Sequence, residues 1–221
     1  MEEPTGGSVA CCGFATMSTK EEIEPYRVGD IEVTTVPDGK RTFSLPDDFI
    51  DNADRAAINC ALREAGMPAD QMTIVFNPVI VRSGDETVLI DTGNGPGAPA
   101  GAGLLMANLK TTSIAPEAIS LVVISHFHSD HINGLLVADG QLAFPNAAIT
   151  VPAPEWAFWT DENERARAAP GRMQELFQNV ARVLLPHRDR IRQHDWGQEV
   201  APGLTTIATP GHSPGHTRLI C

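Results

Sequence analysis

Apolar and polar residues first fall into a regular pattern near Tyr26. Ile31-Glu32-Val33-Thr34-Thr35-Val36 alternates with a period of two, as a half-buried strand does, and Pro37-Asp38-Gly39 then supplies turn residues. Within 53–64, Ala57, Ala61 and Leu62 recur at helical spacing, and Gly66 stands where a helix C-cap belongs. Two strands follow, over 73–81 with a break at Pro78 and over 87–90, joined by Ser83-Gly84-Asp85. The second runs into Asp91-Thr92-Gly93-Asn94-Gly95 and a Gly- and Pro-rich loop to about Gly103. Leu121-Val122-Val123-Ile124 is apolar at every position and mostly β-branched, which predicts a strand covered on both faces. Met173, Leu176, Phe177, Val180 and Leu184 recur at intervals of three and four, predicting an amphipathic helix over about 171–185. Strands interleaved with helices predict a layered α/β domain.

The first 24 residues mix Gly, Thr, Ser and Glu without periodicity and read as a flexible tail ahead of one domain over 25–221. A chain of 221 residues with 42% apolar content can build one sizeable core. The formal charge of −12 sets up a field that repels phosphate backbones and anionic lipid, so nucleic acid and membrane are not expected partners. No stretch reaches the roughly 20 apolar residues of a membrane helix. Cys11, Cys12, Cys60 and Cys221 form neither a disulfide framework nor a zinc ribbon and read as free thiols of a reducing, cytoplasmic setting. Export is expected only if a signal peptide is missing from this chain.

The candidate chemistry lies in the histidines. Five of seven fall in two clusters, Ser125-His126-Phe127-His128-Ser129-Asp130-His131 and Thr209-Pro210-Gly211-His212-Ser213-Pro214-Gly215-His216. Residues two apart at the end of a strand can point the same way, so His126 and His128 can offer nitrogens to one ion while Asp130 and His131 serve a second beside it. A catalytic zinc keeps three protein ligands and an exchangeable water, and two neighbouring ions can share a hydroxide that is nucleophilic near neutral pH. His212, in a loop tightened by Gly and Pro, is the natural third ligand, with His216 behind it. His187 and His194, beside several arginines, read as ordinary structural residues.

These residues resemble the metallo-β-lactamase superfamily. Its H-x-H-x-D-H motif is matched by His126, His128, Asp130 and His131, its strand-plus-D-T-G segment by Leu89-Ile90-Asp91-Thr92-Gly93, and its T-P-G-H-x-x-G-H loop by 209–216. The resemblance extends to the branch containing methyl parathion hydrolase and related lactonases. It implies an αββα sandwich with a dinuclear site at the edge of two sheets. His126, His128 and His212 would bind one divalent ion, and Asp130 and His131 the other; zinc is expected, with iron, cobalt or manganese also suited to such ligands. Asp130 is also the candidate catalytic residue, and Asp91 would organise the loop. Members of the family supply a further aspartate and a last histidine beyond the T-P-G-H loop, whereas only 217–221 follow here. The chain is therefore expected to lack the C-terminal part of the domain.

The expected function is hydrolysis of a small-molecule ester, lactone or organophosphate, with a homodimer as the expected assembly. A catalytically incompetent fragment with a partial metal site and a thioesterase of the glyoxalase II type are the alternatives. A flavodiiron-type redox protein is disfavoured by His128, where that group carries a carboxylate. Glu155-Trp156-Ala157-Phe158-Trp159 holds two of the three tryptophans and reads either as pocket wall or as core packing.

Overall fold

In the computed structural model, which describes residues 25–221 other than positions 48 and 51, twelve strands and six α-helices follow one another. The predicted tail, with Cys11 and Cys12, lies outside the described residues. The strands are β1 (Tyr26–Val28), β2 (Ile31–Thr35), β3 (Gly39–Ser44), β4 (Gln71–Phe76), β5 (Val79–Ser83), β6 (Glu86–Ile90), β7 (Leu121–Val123), β8 (Ala148–Pro152), β9 (Ile191–His194), β10 (Glu199–Ala201), β11 (Leu204–Ala208) and β12 (Thr217–Ile220). The helices are α1 (Arg55–Glu64), α2 (Leu105–Leu109), α3 (Ser129–Ile132), α4 (Ala153–Trp159), α5 (Glu162–Arg167) and α6 (Arg172–Val183).

Seven strands form a mixed sheet in the order β1-β2-β5-β6-β7-β8-β9, antiparallel as far as β6 and parallel from β6 to β9. A second sheet runs β10-β11-β12, and β3 pairs with β4 in a third. Pro78 marks where the chain leaves this last pair for the large sheet, since it brings no N–H to a ladder. Adjacent residues of the central strands go to opposite cores. Ile80, Leu89 and Val122 join Phe127, Phe177, Val180 and Leu184 under the helices, whereas Val81, Val88 and Val123 meet Ala201 and Leu204 of the small sheet. That is why the apolar run at 121–124 has no alternation: both faces of β7 are covered, giving helix, sheet and sheet in successive layers.

Two details differ from the predicted pattern. Helix α1 ends before Gly66 as expected, that glycine lying at φ +71°, and is capped at its start by Asp54 accepting from the Ala57 amide, yet it buries Ile58 and Leu62 while Ala57 and Ala61 face outward. The larger side chains at an i, i+4 spacing gain more by burial than the alanines. In α6, Phe177, Val180 and Val183 are buried, but Met173 on the first turn remains 40% exposed. Among the described residues, no helix is long and apolar enough to cross a membrane.

Candidate metal centre

Strand β7 carries the chain toward the site. Beyond it, Ile124 is still bonded through its amide to Thr150 of β8, the Ser125 amide donates to Asp91 Oδ1, and His128 is extended where the chain turns into α3. The small sheet contributes the second cluster, because 209–216 connect β11 to β12. The two clusters are joined directly: the Thr217 amide donates to the Ser125 carbonyl at 3.0 Å.

The ligand atoms of His126, His128 and His212 all lie within 4.8 Å of one another. His128 Nδ1 is 3.2 Å from His126 Nε2 and 2.9 Å from His212 Nε2. A neutral imidazole has one N–H, so three nitrogens facing a common point cannot all be satisfied by each other, whereas one divalent ion accepts a lone pair from each. Burial, and then the neighbouring imidazoles, push His126 far below its ordinary value and His128 down to about 4. Both rings are therefore neutral at pH 7, the form that ligates. The donor set fits a divalent cation.

His131 packs against this trio, its ring 3.9 Å from that of His126, but its nitrogens engage carboxylates. Nδ1 donates to Asp91 Oδ2 at 2.7 Å and Nε2 lies 3.4 Å from Asp130 Oδ2. Burial alone would lower its pKa, but Asp91, with Asp130, raises it to about 10. Burial likewise works to raise that of Asp130, and is outweighed by the hydrogen bond and charge of His131, which hold the carboxyl below its usual range. Asp91 also accepts from the Ser125 hydroxyl at 2.8 Å, and it sits at φ +59°, the only non-glycine residue at positive φ among the described residues. Aspartate tolerates that region better than most side chains. His216 stands aside, its Nδ1 2.8 Å from Thr209 Oγ1 and its ring 4.8 Å from His126.

Asp91, Asp130 and His131 open onto a cleft of about 200 Å³ whose other wall is Ile74, Val75 and Phe76 of β4 with Asn77 and Pro78. Neither Trp156 nor Trp159 lines it. Trp159 is buried in the core against Phe177, and Trp156 packs edge-on against Phe127, so packing accounts for both. His194 is also a core residue, its Nδ1 3.0 Å from Thr150 Oγ1.

Two buried carboxylates escaped the sequence reading. Asp38 is not a turn residue but a fully buried anchor for the loop that follows Asp91. Glu155 is fully buried between the two histidine clusters. Its one sequence signal was an acid set between Pro154 and Trp156 in an otherwise apolar stretch, where a buried charge has to be paid for by hydrogen bonds.

Residues 77–221 match the family model described as the metallo-beta-lactamase superfamily. The chain belongs to this superfamily. Among its relatives, an N-acyl homoserine lactonase of Bacillus thuringiensis is 34% identical over 112 residues, covering 50% of this chain and 36% of the lactonase. Metallo-beta-lactamase domain-containing protein 1 of Mus musculus is 40% identical over 128 residues, covering 58% and 40%. The chain thus aligns with well under half the length of either relative. Among solved structures, AidC, a dizinc quorum-quenching lactonase, superposes with a TM-score of 0.81 at 23% identity over 91% of this chain and 72% of that one. Hydrolase AbOPH of the beta lactamase superfamily gives 0.76 at 26% identity over 87% and 67%. The α/β layering of this superfamily member is the fold of those structures.

Proposed function

We propose that this chain is the catalytic region of a metal-dependent hydrolase that opens a lactone or cleaves an ester bearing an apolar acyl group. The observation that carries the reading is the pairing of a convergent imidazole trio with an Asp130–His131 pair that opens onto an apolar wall. His126, His128 and His212 would hold one divalent ion, zinc by preference for nitrogen ligands, and Asp130 would contribute to a second, with His131 joining it in place of the ring proton that Asp91 and Asp130 favour. Such ions supply Lewis acidity and an activated water near neutral pH.

The protein's own groups do the rest. Ile74, Val75 and Phe76 bind the acyl portion and exclude water from one side of the cleft. Asp91 fixes the His131 ring through Nδ1, leaving Nε2 toward Asp130. Asp130, held ionised, accepts the proton of the attacking water and returns it to the leaving oxygen as the acyl C–O bond breaks. The field of a chain carrying −12 favours neutral substrates over polyanions. The similarity to N-acyl homoserine lactonases supports the same class.

The test is elemental analysis of protein exchanged into metal-free buffer, beside a His126→Ala control, followed by turnover on an acyl homoserine lactone, an aryl ester, a thioester and a phosphotriester. Two ions per chain in the wild type, fewer in the control, and turnover of lactone or ester are expected. One ion or none, without turnover, would instead support a partial metal site that is catalytically incompetent; preference for the thioester would move the substrate to that class.

A further inference from the structure

We propose that Glu155 is a positioning residue that locks the two histidine clusters together and thereby sets the affinity of the imidazole trio for its ion. This rests on the metal-centre reading above. His126 and His128 follow a strand of the large sheet, and His212 lies in a connection of the small one, so their convergence is a tertiary matter. Glu155 comes from a third element, α4, and touches both. Its Oε2 accepts from the Phe127 amide at 3.0 Å, between the two histidines, and from Trp159 Nε1 at 2.8 Å. Its Oε1 accepts from the Gly215 amide at 2.6 Å and from the hydroxyl of Ser213, the residue next to His212.

Four donors for two oxygens leave the carboxylate satisfied and fully buried, and no Lys, Arg or His lies within ion-pair distance of it among the described residues. A desolvated anion without a cationic side chain raises the local preference for a bound cation, and it orders the ligand loops at the same time. The arrangement also explains a glycine of the second cluster. A Cβ on Gly215 would lie 2.3 Å from the Glu155 amide nitrogen, so only glycine lets the loop reach the carboxylate.

Glu155→Gln keeps the shape but removes the charge and turns an amide NH2 toward two donors. Zn2+ affinity, read by competition with a chromophoric chelator, is expected to fall about tenfold or more. Leu62→Ala, in the separate cluster under α1, should lower stability and leave that affinity unchanged, which separates positioning from general weakening. Ser213→Ala and Trp159→Phe each remove one of the four bonds and should give smaller losses, and they serve if the Gln variant fails to fold. In the metal-free protein, hydrogen exchange at the Phe127 and Gly215 amides should accelerate in the Gln variant and not in Leu62→Ala. Unchanged exchange at both amides would overturn the proposal whether or not the wild type binds zinc. A wild type that binds no zinc would defeat the metal reading alone. Zinc binding by the wild type that is matched by Glu155→Gln would defeat the positioning role alone.

Discussion

Asp38 offers the sharpest test of how this fold is held together. The side chain is fully buried. Its Oδ2 accepts from the Asn94 amide at 2.8 Å, Asn94 Nδ2 at 2.9 Å and the Gly103 amide at 3.3 Å, and its Oδ1 accepts from the Leu105 amide at 2.9 Å. One carboxylate therefore ties the connection between β2 and β3 to the loop after Asp91 and to the start of α2. In Asp38→Asn the single carbonyl can keep the three Oδ2 partners, but the NH2 then faces the Leu105 N–H. An unpaired buried donor costs about 1–3 kcal/mol, and weakening three charge-assisted bonds to neutral ones adds a comparable amount, so a loss of about 3–4 kcal/mol is expected. Asp38→Ala should exceed this, because four donors lose their acceptor. With a urea m-value of about 2 kcal/mol/M, the Asn variant should unfold at a midpoint roughly 1.5–2 M lower. A midpoint within about 0.3 M of wild type would refute the argument that this carboxylate, rather than the glycines around it, fixes the loop.

His194 is pushed down to about 4 by burial, against a smaller opposing effect of Asp195. Above its ordinary value of 6.5 the ring is neutral folded or unfolded; as pH falls from there to about 4 the unfolded chain takes up a proton that the folded one refuses, so stability should drop by roughly 2–3 kcal/mol. His194→Gln should flatten that limb of a denaturation-against-pH curve, and an unaltered slope would contradict the assignment. At Gly134 a Cβ would fall 1.8 Å from the Thr92 carbonyl oxygen, so Gly134→Ala should lower stability by about 3 kcal/mol or more; a thermal midpoint equal to wild type would mean the backbones are not in this contact. Ile74→Asn, on the apolar wall of the cleft, should raise KM for long-chain acyl substrates roughly tenfold and leave short-chain ones nearly unchanged. Equal effects on both chain lengths would detach β4 from acyl binding.

The sequence by itself carried whatever depends on local periodicity and short spacing. The strand at 31–36, the doubly covered run at 121–124, the capped helix before Gly66 and the H-x-H-x-D-H motif were all legible, because a strand or a loop places its own neighbours at fixed separations. The family likewise followed from three ordered motifs, and the match over 77–221 bears it out. What the sequence could not reveal were relations between distant segments. That Ile58 and not Ala57 turns inward depends on what lies beneath α1. That Asp38 is an anchor and not a turn depends on four amide and carboxamide donors arriving from 56 to 67 residues away. Glu155 acquires its place only when two histidine loops from different sheets close around it, and Trp159 becomes core only because α6 covers it. A buried carboxylate has no periodicity to announce it; it is stable only where the folded chain surrounds it with donors, so only the tertiary structure decides where one can stand.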